Sequence, residues 1–112
     1  MITDKLKEEI ATYIKDSLFD TAKIGLGGNS TNPVSNDLDV ALSVTPTLVK
    51  TKSTANVIEA KISISGSVIQ GKVIREAGLF NGSDMVHRLN FDGVGPFSST
   101  ETLEIFVLME VE

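Results

Sequence analysis

Cysteine is absent from this 112-residue chain, which removes disulfides, thiolate metal sites and thiol nucleophiles and leaves the apolar core to hold the fold alone. Tryptophan is absent too, with a single tyrosine, Tyr13, and a single histidine, His87, so aromatic sugar platforms and histidine-based sites have little to draw on. Excess positive charge is also missing. Ten Lys and Arg against fifteen Asp and Glu give a net charge of −5, and the cations are dispersed. That argues against nucleic acid as a partner, because such binding depends on cations displacing counterions from phosphates. Long hydrophobic runs are lacking: the densest, Ile105 to Met109, is strand-length and far short of the roughly 18 residues that cross a bilayer. The opening Met1-Ile-Thr-Asp-Lys-Leu-Lys-Glu-Glu carries charges where a secretory signal carries its apolar segment. The expectation is a soluble protein made in the cytoplasm, with neither membrane nor nucleic acid as partner.

What is present suffices for a core. Hydrophobic residues make up 41% and charged residues 22% of the chain, the balance of a globular domain, and one domain spanning 1–112 is expected. Leu6, Ile10, Tyr13, Ile14 and Leu18 recur at spacings of three and four, with Lys5, Lys7, Glu8, Thr12, Lys15 and Asp16 between them. This predicts an amphipathic helix over residues 1–20, with Thr3 as N-cap and Asp4 at its positive end. Two placements are open for its apolar stripe: on the domain's own core or on a neighbouring subunit.

Beyond the helix the period changes to two, and Gly, Asn, Ser and Pro mark the breaks. Residues 21–112 therefore read as an antiparallel β-sandwich, jelly-roll-like, making the protein mainly β. Ile58, Ala60, Ile62 and Ile64 alternate with polar residues in the clearest strand, and Met85, His87, Leu89 and Phe91 alternate in another. Asn81-Gly82-Ser83 reads as the hairpin turn joining that strand to Val73–Phe80. In the last strand, Leu103, Ile105, Val107, Met109 and Val111 form one face, while Phe106 and Leu108 make the other apolar as well. A strand of this kind is expected in the middle of a sheet, covered on both sides. Gly25 to Asp39 reads as a long polar loop.

The inventory for catalysis is thin. His87 sits on an apolar-alternating strand and reads as a half-buried structural residue, and no nucleophile elbow surrounds any Ser. Asp37 and Asp39 with Asn29, Asn32 and Asn36 fit no calcium-loop spacing, and backbone stitching within turns is the preferred role. Gly25, Gly27 and Gly28 lack the Lys-Ser/Thr and the following helix of a phosphate loop. No catalytic residue, metal or cofactor is therefore assigned. Two readings are open for Glu76 and Arg88: a pair closing the hairpin, worth about a kcal/mol at most if exposed, or two unrelated surface charges. Gly78 reads as a bulge or close backbone approach, and Leu79 and Phe80 as core contacts.

Val-Ile-Arg-Glu-Ala-Gly-Leu-Phe at 73–80, Met-Val-His-Arg-Leu-Asn-Phe at 85–91 and Leu-Glu-Ile-Phe-Val-Leu at 103–108 together resemble a domain of tail fibre and baseplate-type proteins of viruses of bacteria and archaea. Ile-Gly-Leu-Gly-Gly at 24–28 and Asp-Val-Ala-Leu at 39–42 extend the resemblance over most of the chain. Such proteins often continue into long fibre regions, and the end at Glu112 favours a connector, collar or baseplate subunit over a receptor-contacting one. The resemblance implies a non-enzymatic virion tail protein, a homo-oligomer of three or six copies, contacting other tail proteins. Leu6, Ile10, Ile14, Leu18, Phe106 and Leu108 are the candidate assembly residues, and Glu76, Gly78, Leu79, Phe80 and Arg88 the structural motif. A small receptor- or carbohydrate-binding β domain is the alternative.

Overall fold

The computed structural model describes residues 1–29, 36–54 and 56–112, so the middle of the expected Gly25–Asp39 loop, with Asn32, lies outside the described residues. Helix α1 spans Asp4–Tyr13. It starts where the sequence places it, the Thr3 hydroxyl accepting from the Leu6 N–H at 3.3 Å, and the N-cap supplies a partner to an otherwise orphan donor. A π-helical turn, Ile14–Leu18, continues it, and Phe19 leaves in an extended conformation. Within that turn the Lys15 ammonium, 2.7 Å from Asp16, holds the Asp16 carboxyl below the usual carboxylate range.

Among the described residues six strands follow: β1 Thr21–Gly25, β2 Thr47–Thr54, β3 Val57–Ser65, β4 Ile74–Asn81, β5 Asp84–Val94 and β6 Thr102–Glu110. They form two antiparallel three-stranded sheets, ordered β1-β4-β5 and β2-β3-β6. The β4–β5 hairpin turns at Gly82, whose φ of +60° is a conformation open to glycine at little cost. Period-two alternation gives each sheet one apolar face. Ala22, Ile24, Ala77 and Leu79 come from the first sheet and Ile58, Ile62, Leu103 and Val107 from the second, and all join one buried cluster. Each fully buried Ile or Leu there contributes about 1.5–3 kcal/mol. The result is the expected β-sandwich with an N-terminal helix.

One expectation fails. Strand β6 is not central: it pairs with β3 alone and ends its sheet, leaving Phe106 and Leu108 exposed at 55% and 67%. Apolar faces report what a strand can bury against, and chain order alone does not say how much cover one copy supplies.

The helix docks by its polar side, and of the two open placements its own core takes little of the stripe. Ala11 is fully buried, while the apolar Leu6, Ile10 and Tyr13 face solvent at 45%, 37% and 61% exposure, with Leu18 exposed beside them. Its polar side does the docking: Lys52 Nζ reaches Glu8 Oε1 at 3.4 Å and Thr12 Oγ1 at 3.2 Å, and Lys50 Nζ reaches the Phe19 carbonyl at 2.8 Å. Both lysines belong to β2, and Lys50 Nζ also sits 5.1 Å from the Phe19 ring centre, a cation over an aromatic face. Of the predicted stripe only Ile14, partly buried, packs against the core.

Candidate functional site

The polar groups of the molecule converge on Glu76. Its position in β4 follows from the period of two, which turns Ala77 and Leu79 inward and Glu76, Gly78 and Phe80 to the opposite, outer face. There the segment after the long loop folds back over the sheet, and Glu76 becomes completely buried. Its Oε2 accepts from the Gly27 and Val40 N–H groups and its Oε1 from the Asp39 N–H, each at 2.8 Å. Charge-assisted bonds from backbone N–H groups are the means by which a buried carboxylate is tolerated.

Glycines make room for it. A Cβ on Gly25 would lie 2.4 Å from the Val40 carbonyl oxygen and 2.6 Å from Glu76 Oε2, and one on Gly27 would lie 2.5 Å from Asp39 Cβ. Gly27, from the glycine-rich string, and Asp39 and Val40, from the covering segment, thus form an anion cradle of converging backbone donors, and its anion is the chain's own side chain. This explains the faint likeness to a phosphate loop without any phosphate.

Arg88 completes the arrangement. In register it stands opposite Gly78, not Glu76, so of the two open readings the ion pair forms, diagonally, with Arg88 Nη1 3.8 Å from Glu76 Oε1 and 3.7 Å from Asp39 Oδ1. Its Nη2 donates to the Asp37 carbonyl. The pair is buried, which corrects the surface reading: the covering segment was not legible from the hairpin alone. Truncating one member of such a pair is far costlier than breaking an exposed one.

Among the described loop residues, the side chains of Asn36, Asp37 and Asp39 bond backbone N–H groups, the role preferred from the sequence. Asp39 Oδ2 accepts from the Asn29 N–H at 2.9 Å, Asp37 Oδ1 accepts from the Leu38 N–H at 2.8 Å, and Asn36 Oδ1 accepts from the Met85 N–H at 3.1 Å. Leu79 joins the core, whereas Phe80 is buried on the outer face, with Lys23 Nζ 4.4 Å from its ring centre. Gly78 owes its place to lack of room: an added Cβ would meet Phe80 Cε1 at 2.9 Å, Met85 Sδ at 3.2 Å and Leu38 Cδ2 at 3.3 Å. His87 lies opposite Leu79, partly buried in the sheet and apart from the Glu76 cluster.

An open groove of about 450 Å³ runs between β1 and the 41–45 segment, lined by Thr21, Lys23, Leu42, Ser43 and Thr45 among others. It brings hydroxyls and one ammonium together, with Asp20 accepting from the Thr21 hydroxyl at 3.2 Å and Asp37 3.7 Å from Lys23 Nζ. The assembly candidates fall in two places, Leu6, Ile10 and Leu18 on the outer side of the helix, Phe106 and Leu108 on the outer face of β6. The backbone donors of Gly27, Asp39 and Val40 are not legible in the sequence, whose one signal for them is an acidic residue inside a strand with a glycine-rich string elsewhere.

No protein-family model matches the sequence, and neither a curated protein nor a solved structure matches it.

Proposed function

We propose that this chain is a non-enzymatic structural subunit that works as a homo-oligomer, a collar, connector or baseplate component of a virus tail. The helix, docked by its polar side, carries this reading. An amphipathic helix normally gains its stability by burying its apolar stripe, yet here the polar side is held by Lys50 and Lys52 while Leu6, Ile10 and Tyr13 stay in water. Their spacing of four and then three is that of a coiled-coil seam, which is completed by further helices. Closed cyclic symmetry is the common solution, and the tail resemblance favours three or six copies.

The resemblance gains support from where its strings lie. Ile24–Gly28, Asp39–Leu42, Glu76–Phe80 and Arg88 are far apart in sequence and meet at one buried carboxylate. Strings that build a common latch are what a shared architecture would leave behind. On this reading the protein is made in a host cytoplasm and ends in the virion, with tail proteins as partners and no cofactor.

Light scattering on the full chain and on Leu6→Glu with Ile10→Glu tests it. The wild type should run as a multimer of three or more copies and the double variant as a smaller, still folded species, because both residues are outside the core. A wild type that stays monomeric at high concentration would count against the proposal. Deleting residues 1–19 is a poorer test, since it also removes Ala11 and Phe19 from the core.

A further inference from the structure

We infer that β6 is a strand-addition site for a second copy of this chain, the two strands pairing antiparallel about a two-fold axis at Phe106. The inference is independent of the helix and rests on how the sandwich treats its edges. A free strand edge presents unpaired N–H and C=O groups, and proteins ordinarily blunt it with short strands, bulges, inward charges or cover.

Three of the edge strands are blunted in these ways. Strand β1 is five residues long, and its free side is bonded by the following segment through Leu26 N–H to Val40 O at 2.9 Å and Leu42 N–H to Ile24 O at 3.0 Å. Strand β2 has an irregular register between Lys52 and Thr54, and Lys50, paired with the fully buried Ala60, points a charge inward. Strand β5 has two register shifts against β4, a glycine at φ +127° and the Asn36 side chain on the Met85 N–H.

Strand β6 has none of these. Its nine residues pair with β3 without a break and contain no Lys, Arg, Pro or Gly, and the stretch from Ile105 to Met109 is uncharged. Among the described residues, no backbone bond to its other side is recorded for 102–110.

A second β6 fits this edge better than an arbitrary strand. With the axis at Phe106, the ring faces its own counterpart, Leu108 faces Glu104 of the second copy, and Glu110 faces Thr102. On the inner side Ile105 faces Val107 and Leu103 faces Met109, so the two cores become continuous. Moving the axis one residue, to Val107, would set Glu104 against Glu110, and directly opposed like charges are destabilising. Two copies then share one six-stranded sheet with Phe106 at its centre.

The absence of native cysteine makes the register directly readable. Phe106→Cys places two sulfurs on directly opposed residues, within disulfide reach, whereas Leu108→Cys leaves its two copies about 13 Å apart along the strands. Mild oxidation of the full chain should give a covalent dimer as the dominant species for the first variant and a monomer for the second. Equal cross-linking of both, or of neither, would overturn the inference.

A second pair keeps the test clear of the lost ring. Leu108→Lys puts a cation opposite Glu104 and should preserve the contact, while Phe106→Lys opposes two like charges and should abolish it. Both add the same charge at exposed positions, so equal loss of the contact in the two would contradict the proposed register. Adding Leu6→Glu to Phe106→Cys should leave the cross-link intact, which separates this contact from the helix seam.

Discussion

The outer faces of the two sheets are treated in opposite ways. On β1-β4-β5, Glu76, Gly78 and Phe80 are covered by the chain itself, and the cover is locked by three backbone N–H bonds to one carboxylate. On β2-β3-β6, Phe106 and Leu108 lie bare although they are more apolar than the buried Glu76. Burial in this molecule therefore follows the path of the covering segment rather than hydrophobicity alone. The first face is a finished interior, and the second is finished only when something else lies on it.

The sharpest way to break this contrast is to remove the lock. Glu76→Ala should cost about 3–5 kcal/mol, because it removes the acceptor of three part-buried N–H groups and strands the Arg88 guanidinium. Urea denaturation measures it, and a loss under about 1 kcal/mol would show that the bonds add little. Phe80→Ala should cost a similar ~3–5 kcal/mol, since its ring is fully buried on that same covered face.

Gly25→Ala should cost about 1–3 kcal/mol by forcing the Val40 carbonyl and the carboxylate apart. A melting temperature equal to wild type would mean that the covering segment is loosely held. Thr3→Ala removes the helix cap and should lose about 1 kcal/mol. The smallest effect belongs to the bare face: Phe106→Ala should change monomer stability by less than about 0.5 kcal/mol. A larger loss, measured at concentrations where the chain is monomeric, would mean that the ring is covered within one copy.

The alternation of β3, the Thr3 cap and the Gly82 turn were legible because each depends on residues close in sequence. Glu76 was not. Its place in a strand reads as a surface charge, and what reverses that reading is a segment some 36 residues earlier that folds over it. The pair with Arg88 was legible as one of two readings but misplaced, since pairing register and cover are both set by tertiary structure. For β6 and the helix, the apolar residues were legible; the central place expected of β6 was wrong, and the cover of the helix stripe was open, because a pattern shows that a face seeks cover and packing settles whether the same copy supplies it.

The central claim is that one chain completes the face over Glu76 and leaves the helix stripe and β6 for further copies. The most direct measurement is the mass in solution by sedimentation equilibrium across a wide concentration range, for the wild type and for Leu6→Glu combined with Phe106→Lys. The account predicts a multimer for the first and a monomer for the second, with the same β-rich circular dichroism spectrum and an unchanged monomer fold. A wild type monomeric throughout the range, or a double variant as multimeric as the wild type, would contradict it.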